Sequence, residues 1–283
     1  MLFAFGSMSS IQLGAALANP LFDRLGPDGV VMLRLVLAAV VLCVVVRPRL
    51  RGRGRRAWIV PVVLGLTTGL MTLAFYGAIA RVPQGIVAAI EFSGPLTVAL
   101  AGSRRWRDAV WVALAAGGIA LLTLGHPVGG ALDTTGVLLA FAAAAGWGAY
   151  IVLTKRVGQT WPGLQGLAIA MAISALVSLP FGLMHAAHRY AEPDKDVFGL
   201  LLGLLVPLAP YVLELAALRR LPTRVFGVLM SLEPGIGALL ALVILGQSLA
   251  LGGVAAIVLI VSASIGVTLT SSDDAAPIPA VLD

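Results

Sequence analysis

The chain has 283 residues, of which 59% are hydrophobic and only 11% charged, with a mean hydropathy of +1.01. That leaves too little polar surface to enclose a water-soluble core of this size, and so excludes a soluble globular protein. The net charge is +6 with a pI near 10.2, yet the basic residues fall mostly in short runs between apolar stretches, which the positive-inside rule explains without any nucleic-acid partner.

Apolar runs matched to the thickness of a bilayer predict an all-α integral membrane protein with ten transmembrane helices. The runs lie near residues 3–22, 29–46, 58–80, 84–102, 109–125, 134–154, 163–184, 197–218, 225–245 and 249–269. The first lacks a basic leader region and is interrupted by Gln12, Asn19 and Pro20, so it reads as a retained helix rather than a cleaved signal. Most links are short; 47–56 and 185–196 are the appreciable loops, and 271–283 is a polar tail. The single cysteine, Cys43, falls inside a span, which excludes an intrachain disulfide.

Basic residues orient the spans. With the N-terminus in the cytoplasm, fourteen Lys and Arg fall on the inner side, six of them within 47–56, against four on the outer side. Both termini are therefore expected in the cytoplasm of a multi-pass inner-membrane protein. Val82-Pro83 and Leu221-Pro222 lie 139 positions apart, as do Pro95 and Pro234. Five spans per unit is an odd number of crossings, so the second copy enters the membrane upside down. Two inverted five-helix repeats follow, 1–133 and 134–270, with the tail 271–283 beyond them. This is an architecture of alternating-access carriers whose substrate sites lie where the copies meet.

Three acids, Glu91, Glu214 and Glu233, fall inside apolar spans. An ionised side chain at mid-membrane costs about 2.5–3.5 kcal/mol on insertion scales, so each marks a candidate site. Glu91 and Glu233 are the deeper two, and each neighbours a helix-interior proline, Pro95 or Pro234. A proline cannot donate to the carbonyl four residues back; Pro95 thus frees the carbonyl of Glu91 and Pro234 that of Met230. Such breaks are tolerated at this depth where they face protein or a wet cavity. With the prolines superposed, the two glutamates are one helical turn apart and line one central cavity; the alternative is that they only bond neighbouring helices together. Glu214, close to Arg219 and Arg220, suits either a gating pair or ligand binding. Arg34 is the cation inside a span, placed either to neutralise a glutamate or to grip a substrate carboxylate with its planar fork. Gln12, Tyr76, Trp147, Tyr150 and Tyr211 supply a polar and aromatic lining. His126, His185 and His188 fall in loops and, with one cysteine, offer no plausible metal set; no phosphate-binding loop is present, so neither a metal nor ATP nor another cofactor is expected.

Ile90-Glu91-Phe92-Ser93-Gly94-Pro95-Leu96, Ser103-Arg104-Arg105, Leu213-Glu214 and the segment Leu221–Pro234 together resemble the EamA-type branch of the drug/metabolite transporter superfamily. The resemblance runs from Ser10-Ile11-Gln12 to the last helix. It implies ten helices in the bacterial inner membrane, an inverted repeat, and efflux of small amino acids of the threonine/homoserine kind driven by proton exchange, with no enzymatic step. Where that family often carries an acid after the ninth helix, this chain has Gly246-Gln247. An exporter of another metabolite or a drug uses the same architecture, and an intramembrane enzyme built on paired glutamates is the alternative from a different class. Oligomeric state is not encoded in these features.

Overall fold

A computed structural model of the chain describes residues 25–49, 54–101, 108–124, 133–186 and 251–270. They form eight helices: α1 Leu25–Val46, α2 Arg55–Ile79, α3 Gln84–Glu91, α4 Ser93–Ala101, α5 Asp108–Leu124, α6 Thr134–Thr160, α7 Gln165–Ala186 and α8 Leu251–Thr270. No strand occurs among the described residues. The spans predicted at 3–22, 197–218 and 225–245, and with them Gln12, Tyr211, Glu214, Glu233 and Pro234, lie outside the described residues.

Four helices, Leu25–Val46, Arg55–Ile79, Thr134–Thr160 and Gln165–Met184, are long and apolar enough to cross a membrane. At 1.5 Å per residue, the 25 residues of α2 rise about 37 Å, more than the roughly 30 Å of a hydrocarbon core. Their outward faces carry large apolar side chains, including Val45, Ile59, Leu70, Leu138, Leu176 and Met184. A soluble fold would place these inside; here they meet lipid.

Local chemistry sets the helix ends. Gly26 at φ 69° and the following Pro27 form the turn at the start of α1, glycine because the left-handed region is closed to most side chains. The last turn of α2 closes with Arg81, whose Nη1 donates to the Gly77 carbonyl at 2.7 Å, a cation at the negative end of the helix dipole. Asp133 caps α6, its Oδ1 accepting from Gly136 N at 2.9 Å. The span predicted at 134–154 continues to Thr160. Lys155 and Arg156 leave the apolar zone without ending the helix, because nothing breaks it before Trp161, which precedes Pro162 and takes the extended conformation at ψ 135°.

The span predicted at 84–102 is two helices. α3 ends at Glu91, Phe92 is a turn, and α4 begins at Ser93. Pro95 has no N–H for the Glu91 carbonyl, so the ladder is interrupted where proline chemistry requires. Phe92 N still donates to Ala88 O at 3.0 Å, and Thr97 Oγ1 donates to Gly94 O at 2.7 Å.

α2 lies between α6 and α7, and α3 and α4 lean on α6. The last pairing depends on Gly94: a Cβ there would overlap the carbonyl oxygen of Ala144. The main core gathers Val31, Leu35, Tyr76, Ile79, Val87, Ile90, Phe92 and Met171. A second cluster, Leu64, Val157, Trp161, Ile169 and Ala170, lies toward the other end of α2. α5 pairs with α8 through Ala115 and Ala263.

Candidate functional site

Arg34, Tyr76 and Glu91 come from three helices: the first two are in contact, and Glu91 ends α3 at the break in the α3–α4 span. The Arg34 guanidinium, on α1, sits over the ring of Tyr76 on α2, 5.1 Å from its centroid. Tyr76 is 3% exposed and is held edge-to-face against Phe75 at 5.6 Å. A cation over an aromatic face is attracted by the ring quadrupole, so the buried ring fixes the charge without neutralising it. Tyr76 is also close enough to Glu91 to feel its charge together with that of Arg34.

Glu91 is the last residue of α3 and is only partly buried, between Ile90 at 0% and Phe92 at 2% exposure. Its flanking side chains pack into the core, and Glu91 itself is less enclosed than either. Phe92 meets Trp147 of α6 edge-to-face, 5.7 Å between centroids. Trp147 thereby braces the turn that carries Glu91. Pro95, partly buried, follows one turn later. The arrangement presents a cation, a carboxyl and aromatic walls within one region of an apolar bundle, a set that can hold a zwitterion by both ends.

Of the residues singled out in the sequence, Arg34 and Tyr76 are in contact, Glu91 and Pro95 stand on either side of the break, and Trp147 packs on Phe92 between them. Tyr150 is not placed with them: it packs against the second cluster with Leu64 and Trp161. Phe92 escaped the sequence reading because a phenylalanine in an apolar run carries no distinguishing signal; its position between Glu91 and Pro95 was the available clue. Gln84, wholly buried at the start of α3, was also missed, although an amide directly after Pro83 at a helix start is visible in the sequence. The buried hydroxyls of Thr68, Ser174 and Ser178 return to carbonyls of their own helices, on Leu64, Met171 and Ala175, and are thereby spent on local bonds. Among the described residues, no group of three His, Cys, Asp or Glu could hold a metal ion.

A bundle of apolar helices, four of them long enough to cross a bilayer, defines the class of multi-pass membrane proteins. Residues 134–269 match the EamA-like transporter family. Over 93% of its length the chain is 42% identical to the threonine/homoserine exporter RhtA of Escherichia coli (strain K12), covering 89% of that protein. It is 41% identical, with the same coverage, to the protein of that name from Salmonella typhimurium (strain LT2). A crystal structure 18% identical in sequence superposes with a TM-score of 0.61, covering 95% of this chain and 96% of the other, which speaks to the fold alone. The chain belongs to the EamA-like transporter family, whose members are transporters rather than enzymes.

Proposed function

We propose that this protein is a secondary active exporter of small amino acids of the threonine/homoserine kind, working by proton antiport and alternating access in the bacterial inner membrane. The observation that carries the reading is the 42% identity, sustained over 93% of the chain, to proteins named for that export. The proposal includes ten helices in two inverted repeats, 1–133 and 134–270, a polar tail at 271–283, and both termini in the cytoplasm. The 139-residue offset of the proline pairs and the distribution of basic residues support this layout.

In the inward-facing state the substrate ammonium pairs with Glu91 or Glu233, and Arg34 takes its carboxylate. The position of Arg34 over Tyr76, within one region of Glu91, supports this division of labour. The break at Phe92 leaves the Glu91 carbonyl without its helical donor, a second acceptor for the ammonium. Gln12, Glu214, Tyr211 and Trp147 complete the lining, and Pro234 provides the equivalent break in the second repeat. Rocking of one half against the other opens the site outward. There a proton displaces the substrate from the carboxyl, because an ionised carboxylate in an apolar surrounding is costly once its partner leaves. The neutral carrier then returns.

Efflux of labelled threonine from proteoliposomes under an imposed pH gradient tests both parts. Unlabelled homoserine is expected to compete, and Glu91→Gln or Glu233→Gln is expected to abolish gradient-driven efflux. Wild-type rates in both variants defeat the coupling mechanism; absence of threonine efflux from the wild-type protein defeats the cargo assignment.

A further inference from the structure

Four segments converge at one end of the bundle, the end that the charge rule assigns to the cytoplasm. The backbone N–H of Arg49 donates to Gln165 Oε1 at 3.4 Å, joining the segment after α1 to the start of α7. The Trp161 indole N–H donates to the Ala57 carbonyl at 2.9 Å, joining the end of α6 to the start of α2. Trp58 and Trp161 meet edge-to-face beside that bond, 5.5 Å between centroids. Six basic residues, Arg47, Arg49, Arg55, Arg56, Lys155 and Arg156, are exposed on the segments so gathered. Stretches 47–58 and 150–166 contain no Asp or Glu. Arg47 takes φ 47°, a left-handed backbone in which glycine would be ordinary.

The positive-inside rule requires such residues to stay on one side of the membrane; it does not require them to gather around an indole pair. Gathered cations without acids repel one another unless an anion lies among them. Indoles mark the depth of the headgroups, and basic surfaces between membrane helices at that depth suit lipid phosphates. We propose that this face binds the headgroup of an anionic phospholipid, with Arg55, Arg56, Lys155 and Arg156 around the phosphate and Trp58, braced from behind by the buried Trp161, at the level of the glycerol. A choline lipid carries its own cation into the same field and binds less well. The site is independent of the transported cargo.

The full-length protein in detergent is titrated with phosphatidylglycerol, phosphatidylcholine and inorganic phosphate, and retained lipid is counted by native mass spectrometry. Phosphatidylglycerol is expected to be retained at least about tenfold over phosphatidylcholine, a preference that weakens as salt rises. Combined Arg55→Gln, Arg56→Gln, Lys155→Gln and Arg156→Gln is expected to lower that retention at least about tenfold, whereas the charge-preserving Arg55→Lys, Arg56→Lys, Lys155→Arg and Arg156→Lys controls keep it. Equal retention of the two lipids by the wild-type protein overturns the proposal, as does wild-type retention by the neutralised variant. Ready displacement of phosphatidylglycerol by millimolar inorganic phosphate also overturns it, identifying a free-phosphate site instead. Should the combined variant fail to fold, Arg55→Gln and Lys155→Gln alone decide, each expected to lose roughly threefold; no loss in either overturns the proposal.

Discussion

Trp161 donates its indole N–H to the carbonyl oxygen of Ala57 at 2.9 Å, across 104 positions of the chain. That carbonyl lies four residues before Pro61, the proline inside α2, and so has no N–H of its own helix to accept from. A defect in one helix is thus repaired by the residue that ends another. The repair also fixes the approach of α2 to α6, and with it the register in which Tyr76 and Trp147 present themselves to the α3–α4 break.

Trp161→Phe keeps the ring contact with Trp58 but loses the donor. It is expected to lower stability by about 1–3 kcal/mol, since a carbonyl shielded from water is left unpaired. Pro61→Ala restores a backbone N–H at the required place, so the penalty of Trp161→Phe is expected to shrink in the Pro61→Ala background. Thermal unfolding of the four proteins in detergent measures this coupling; equal penalties in both backgrounds refute the repair.

Gly94→Ala is expected to destabilise by about 1–3 kcal/mol, because the added methyl overlaps the backbone of α6 at Ala144, where rotamer changes give no relief. Among the described residues, no atom lies within 4 Å of the corresponding position at Gly117, on α5. Gly117→Ala is expected to stabilise by about 0.5–1 kcal/mol through helix propensity alone. The same substitution thus carries opposite signs at the two sites, which unfolding midpoints resolve.

The contact of Arg34 with Tyr76 is worth about 0.5–2 kcal/mol for a cation over a ring. Tyr76→Phe preserves the aromatic face and is expected to retain most of the transport rate. Tyr76→Leu releases the guanidinium and is expected to raise the half-saturating threonine concentration several-fold. Transport titrations on reconstituted protein distinguish them; identical behaviour of the two variants removes the ring from the site.

Asp133→Ala removes the acceptor for Gly136 N at the start of α6 and is expected to cost about 1 kcal/mol, while Asp133→Asn keeps an acceptor and is expected to be nearly neutral. Unfolding midpoints in detergent again provide the measurement.

Much of the architecture is local and therefore legible in the residues themselves. Apolar runs bounded by Pro, Gly and basic residues announce helices, because a membrane offers the backbone no other partner than its own ladder. The interruption beside Glu91 is legible for the same reason: Pro95 removes one rung, and α3 ends at Glu91. Helix ends were less legible where charge was used to place them. Lys155 and Arg156 mark where the lipid stops, whereas the helix stops only at Trp161, where Pro162 constrains the backbone.

The sequence by itself determined that this protein lives in a bilayer and that a proline, close to a carboxyl, breaks one of its apolar stretches. Those properties depend on hydropathy and on backbone chemistry within a few residues. Only the tertiary structure decided that Arg34 stands over Tyr76, that Phe92 meets Trp147, and that Tyr150, three residues along the same helix, packs with Leu64 and Trp161 instead. Between apolar helices of nearly uniform hydrophobicity no polar pattern marks the contacting face. Which side chains meet is settled by how closely backbones approach, at small residues such as Gly94 and Ala144.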